Sequence, residues 1–168
     1  MTQNLGLEEA LDIAMDAELK AQAFYVQAAI EIQDPQGRDL LGRLAAFEQH
    51  HYQQLAKLAR SLQDGVGFIE YEQRSVEQFE PLVSGGEAAG TLLGELRDAP
   101  GILSKAIENE KIAGERYRVL AGETTDPDGQ AMFRRLADEE MIHQRILEDE
   151  FFSLSNRGVW GWCGLYGE

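Results

Sequence analysis

Leucine and alanine recur at spacings of three and four along four stretches of the chain, and each time a glutamate stands in the middle of the apolar row. The rows are Leu7, Leu11, Ala14, Glu18, Ala21, Tyr25; Leu41, Leu44, Glu48, His51, Leu55, Leu58, Leu62; Leu103, Ala106, Glu110, Ala113, Tyr117; and Phe133, Leu136, Glu140, His143, Leu147. Such spacing turns one side of an α-helix toward a core. It predicts four long amphipathic helices, each with a polar residue where the pattern calls for leucine.

Displaced by 92 residues, the chain matches itself without a gap. From Ala14 to Leu55, 15 of 42 positions are identical to their partners in Ala106 to Leu147. AMDAELKAQAFY lies on AIENEKIAGERY, Asp34-Pro35 on Asp126-Pro127, Gly37 on Gly129, Glu48 on Glu140 and His51 on His143. This is the signature of a duplicated helical hairpin. Each half breaks at Asp-Pro, a good helix start: the carboxylate caps orphan amides and proline takes the first helical position, where a missing N–H costs nothing. The short break makes the two helices of each half antiparallel neighbours.

The halves span about 7–62 and 99–152, joined by a connection over about 63–98 that carries Gly65, Gly67, Gly85, Gly86, Gly90 and Gly94. It is too long for a turn. One long crossover between two hairpins is the connectivity of an all-α, ferritin-like four-helix bundle. Within it, SVEQFEPLV and AAGTLLGELRD are candidate helical pieces. Residues 1–152 are therefore assigned to the bundle. Residues 153–168, with the run SNRGVWGWCGLYGE, form a non-helical tail whose two tryptophans cover the bundle end or a dimer surface.

Charge removes several classes of partner. Thirty acidic against fifteen basic residues give a net charge of -15, which repels nucleic acid and anionic membranes. Most of the surplus solvates exposed helix faces. The single cysteine, Cys163, allows neither an internal disulfide nor a four-cysteine metal knuckle, and the cytoplasm is the expected compartment. No window approaches the roughly eighteen uncharged apolar residues of a membrane span, and MTQNLGLEEALD lacks the form of a leader.

The seam glutamates carry the chemistry. Glu18 precedes Glu48 by 30 residues and Glu110 precedes Glu140 by 30, so antiparallel pairing brings each pair to about the same level. His51 and His143 follow their glutamates by three residues, on the same face. Burying one unpaired carboxylate costs several kcal/mol, and four rival a whole-domain stability of about 5–15 kcal/mol. Lys20, Lys57, Lys105 and Lys111 fall outside the rows. Two divalent cations balance four carboxylates, with the imidazoles completing the shells. Oxygen-rich ligands with imidazole suit iron or manganese, and zinc also binds such sets. One glutamate from each of two helices with Glu-x-x-His from the other two is the ligand set of ferritin-like di-iron and di-manganese bundles.

On AELKAQAFY, LAAFEQHHYQQL, NEKIAGERY and LADEEMIHQRIL, the chain resembles the ferritin-like domain of the rubrerythrin family over roughly Leu7 to Phe152. The resemblance implies two iron ions per chain, with Glu48 and Glu140 bridging and Glu18, Glu110, His51 and His143 terminal. It also implies reduction of hydrogen peroxide or dioxygen, in protection against oxidative stress, and a homodimer. Typical rubrerythrins add a four-cysteine rubredoxin-like domain. This chain does not carry one, so an external electron donor such as a rubredoxin-like protein is implied. Where those proteins commonly have a further glutamate one turn after the third-helix ligand, this chain has Ala113, matched by Ala21 in the first half. The alternatives are an iron-handling ferroxidase and a bundle merely stapled by metal.

Tyr25 and Tyr117 follow Glu18 and Glu110 by seven residues on the same face. Each hydroxyl is placed to reach a carboxylate or a bound oxygen species, with plain aromatic core packing as the other reading. His50, Glu108 and Glu139 are expected on solvated faces. DPDGQ matches a calcium loop only superficially, and no basic neighbour favours a reactive Cys163 thiolate.

Overall fold

The computed structural model describes residues 4–82 and 98–163. Four helices account for most of them: α1 (Leu7–Glu31), α2 (Pro35–Gln63), α3 (Ala99–Glu123) and α4 (Pro127–Arg157). Among the described residues the extended structure is a lone bridge between Leu5 and Thr124. The chain is an all-α bundle of two hairpins, α1 on α2 and α3 on α4.

The helix starts follow the capping chemistry. The Asp34 side chain accepts from Gln36 N at 2.8 Å and Asp126 accepts from Gly129 N at 2.7 Å, each with proline at the first position. Asp98 caps α3 in the same way, accepting from Gly101 N. α4 ends on Gly158, whose φ of 71° is the left-handed conformation that glycine adopts without strain. The helix thus runs through Ser155, Asn156 and Arg157, further into the expected tail than its composition suggests. SVEQFEPLV yields only a short 3-10 turn, Val76–Gln78, and AAGTLLGELRD lies outside the described residues apart from Asp98.

The described part of the connection runs back along α2. Glu72 lies beside Gln54, Arg43 donates to the carbonyls of Phe79 (2.5 Å) and Glu77 (3.3 Å), and Leu82 N bonds Gly42 O at 2.9 Å. Side chains therefore cover a face of α2 that a bare four-helix pattern leaves to water.

The apolar core has two lobes. One gathers Tyr25, Ile32, Leu41, Leu44, Phe47, Leu103 and Leu147, and the other Leu11, Leu55, Leu58, Tyr117, Phe133 and Leu136. The seam glutamates fall between the lobes, at mid-height. Each hairpin turn is sealed by a distant part of the chain. Leu5 N bonds Glu123 O at 3.0 Å at the α3–α4 turn, and Leu7 lies over Gly129. At the α1–α2 turn Trp160 lies over Gly37, while Trp162 Nε1 donates to Asp39 at 2.8 Å.

A Cβ on Gly37 would stand 2.4 Å from the Trp160 ring and 2.8 Å from Ile32, whereas on Gly129 it would meet the end of the Leu7 side chain at 2.7 Å. Gly37→Ala should therefore destabilise the chain by about 1–3 kcal/mol through overpacking, and Gly129→Ala by less because Leu7 has freedom to swing away. Urea unfolding of the two variants checks this, and an unchanged midpoint for Gly37→Ala would refute the tight indole contact.

Candidate metal centre

The six predicted residues meet. Glu18 comes from α1, Glu48 and His51 from α2, Glu110 from α3, and Glu140 and His143 from α4. All are between 0 and 3% exposed, so water does not screen their charges. They form two overlapping groups, Glu18–Glu48–His51–Glu140 and Glu48–Glu110–Glu140–His143, and the donor atoms of each lie within 4.8 Å of one another.

His51 Nδ1 lies 3.2 Å from Glu18 Oε2, 3.3 Å from Glu48 Oε2 and 3.4 Å from Glu140 Oε1. His143 Nδ1 lies 3.2 Å from Glu140 Oε2, 3.6 Å from Glu48 Oε1 and 3.8 Å from Glu110 Oε2. Glu48 and Glu140 thus each turn one oxygen toward either histidine. Bonds of about 2.1 Å to an ion put neighbouring donors about 3.0 Å apart in an octahedron and about 3.4 Å apart in a tetrahedron. The spacing around His51 falls in that range, and around His143 it is slightly wider. Glu48 Oε2 is fully enclosed and makes no hydrogen bond. The donor set fits a pair of cations.

Tyr25 donates its hydroxyl to Glu110, and Tyr117 donates to Glu18. The tyrosines therefore cross between halves. Side chains on a helix lean toward its N-terminus, so each ring tilts back to the glutamate level and meets the carboxylate of the neighbouring helix. Phe47 stands edge-on to both imidazoles, 4.7 Å from His51 and 4.2 Å from His143 between ring centroids.

Two expectations need correction. Glu139 is buried: its Oε2 lies 2.7 Å from His51 Nε2 and accepts from the Tyr71 hydroxyl at 2.7 Å. His50 is buried too, with Nε2 2.8 Å from Glu72 O and its ring near Tyr71 and Phe79. In both cases the cause is the connection, which lays Tyr71, Glu72 and Phe79 over faces that helical periodicity assigns to water. Tyr71 was not singled out from the sequence, since nothing in its neighbourhood has a helical register. Glu108 is exposed as expected.

Without metal, the cage distributes its protons unevenly. Burial drives Glu18 and Glu110 well above the ordinary carboxylate range. Burial acts the same way on Glu48 and Glu140, and on Glu48 the charge of Glu140 adds to it, but the two histidines beside them prevail and hold both below that range. Burial disfavours the imidazolium of His51 and His143, yet the surrounding carboxylates outweigh it and raise both well above 6.5.

A family model described as rubrerythrin matches residues 1–59 and 101–156, and the chain belongs to the rubrerythrin family. Among solved structures it is similar to a hypothetical protein from Pyrococcus furiosus, at 26% identity and a TM-score of 0.64, over 92% of this chain and 93% of that one. Comparison with curated proteins gave no match.

The proton distribution has a measurable sign. His51 and His143 bind protons more tightly folded than unfolded, so their contribution to stability is full below 6.5 and is lost as pH rises through the folded value; Glu18 and Glu110 act likewise from 4.5 upward. Glu48 and Glu140 work oppositely, losing their contribution as pH falls below 4.5. The Tm of chelator-treated protein should fall between about pH 6.5 and pH 9, and saturating zinc should flatten the fall. A Tm that holds steady or rises over that range would show the cage protons lie elsewhere.

Proposed function

We propose that the chain is a non-haem di-iron protein that reduces hydrogen peroxide, or dioxygen, with electrons from an external donor such as a rubredoxin-like protein. The carrying observation is the pair of overlapping three-carboxylate, one-imidazole groups in the core. Glu18 and His51 would hold one ion and Glu110 and His143 the other, with Glu48 and Glu140 within reach of both. Family membership supports iron as the metal, and the oxygen-rich donor set is compatible with manganese or zinc.

A ferrous pair held there would supply the two electrons that, with two protons, convert hydrogen peroxide to two waters. The chain's own residues do the rest. A cavity of about 180 Å³ between α1 and α3 reaches Glu18, Glu48, Glu110, Glu140 and Tyr25, past the small side chains Ala17, Ala21 and Ala113. It admits an oxidant the size of peroxide. Lys20 and Arg116 also line it, placing cations beside an acidic centre. Tyr25 and Tyr117 anchor the outer glutamates through their hydroxyl protons. The apolar lobes above and below exclude water from the cage.

Protein reconstituted under argon should hold about two irons per chain. One equivalent of hydrogen peroxide should then produce the near-ultraviolet band of an oxo-bridged ferric pair within seconds. Glu48→Ala or Glu140→Ala should cost both irons, and Glu110→Ala mainly one. Iron that reoxidises no faster with peroxide than with buffer would rule out this activity.

A further inference from the structure

The duplication supplies an internal control for each residue around the cage. At the 92-residue displacement Glu18 matches Glu110, Tyr25 matches Tyr117, Glu48 matches Glu140 and His51 matches His143, but Glu139 falls on Phe47. One half thus sets a carboxylate against the imidazole of the other, while its counterpart sets a phenyl ring. Glu139 Oε2 lies 2.7 Å from His51 Nε2, and the same oxygen accepts from Tyr71. Glu139 Oε1 is buried without a hydrogen bond. The phenyl ring of Phe47 meets His143 at 4.2 Å and 86°. Among the described residues the carboxylate contacts of His143 run through Nδ1, and its ring borders a cavity of about 380 Å³.

The Glu139 oxygen that accepts from Tyr71 is the one that faces His51 Nε2, so the imidazole is the donor there. Glu139 therefore keeps a proton on His51 Nε2, so that Nδ1, 3.2–3.4 Å from the Glu18, Glu48 and Glu140 oxygens, is the nitrogen that would give up its proton and offer a lone pair to a metal ion. A carboxylate behind a ligating histidine strengthens it as a donor, and losing such a partner typically costs about 10–100-fold in metal affinity. His143 has no such carboxylate among the described residues. Tyr71 clamps Glu139 from the connection, so the difference is built in.

We propose that Glu139 is a positioning residue that makes the two metal positions unequal, so that the Glu18–His51 position fills first and holds its ion more tightly than the Glu110–His143 position. The inference rests on the dimetal reading of the cage.

Cobalt(II) binding to metal-free protein tests it, followed by calorimetry and by visible bands that report coordination. Wild type should bind two ions in two steps, the first at least about tenfold tighter. Glu139→Leu should weaken the first step by about 10–100-fold and leave the second nearly unchanged. Glu139→Gln keeps an acceptor for His51 Nε2 and should restore most of the first-step affinity; it also serves should the leucine variant fail to fold. A purely structural role would lower Tm without changing the ratio between steps. Two equal sites in wild type, or variants that weaken both steps alike, would overturn the inference while leaving the dimetal reading intact. No cobalt binding by wild type would overturn that reading, and the inference with it.

Discussion

A carboxylate taken out of water alone costs several kcal/mol, and this bundle gathers four at one level of its core, with two imidazoles beside them. The rest of the architecture is arranged around that concentration of charge. The apolar core divides into two lobes because the middle layer is polar. Tyrosines stand where leucines would pack, each spending its hydroxyl on a glutamate of the neighbouring helix. The metal-free chain tends toward neutrality by another route, with protons favoured on His51, His143, Glu18 and Glu110 while Glu48 and Glu140 stay ionised. Two cations then face two anions. Two divalent ions would exchange those protons for metal charge and keep the same balance.

Duplication explains why the cage is nearly symmetric, and the departures from symmetry show what the two halves do differently. The Asp-Pro-x-Gly starts of α2 and α4 are the same device, yet Gly37 is covered by Trp160 and Gly129 by Leu7. The described part of the connection accompanies α2, so Tyr71 and Glu72 reach His51 and His50, Tyr71 through Glu139. The difference between Phe47 and Glu139, beside six ligands that match in pairs, is thereby given a physical meaning.

Much of this was legible in the chain itself. Periodicity placed the four helices, the Asp-Pro steps fixed two of their starts, and the 92-residue repeat brought Glu18, Glu48, His51, Glu110, Glu140 and His143 together. These signals are local or periodic, which is why they survive without coordinates. What escaped depends on a segment with neither property. The connection has no register from which to deduce that Tyr71 covers Glu139 or that Glu72 meets His50. The tyrosine pairing was half legible: the spacing put Tyr25 near the carboxylate layer, but only the lean of helical side chains decides that it meets Glu110. The reach of α4 to Arg157 was obscured by the glycines and tryptophans that follow.

The indole over Gly37 also bears on the order in which the molecule comes together. Trp160 leaves the ribosome 123 residues after Gly37, and the first hairpin must wait that long with its turn unsealed and with Glu18, Glu48 and His51 facing no second half. A nascent first hairpin thus carries an acidic cluster with half its partners missing. Closure of the turn and completion of the carboxylate–imidazole layer come due together, after translation of α4.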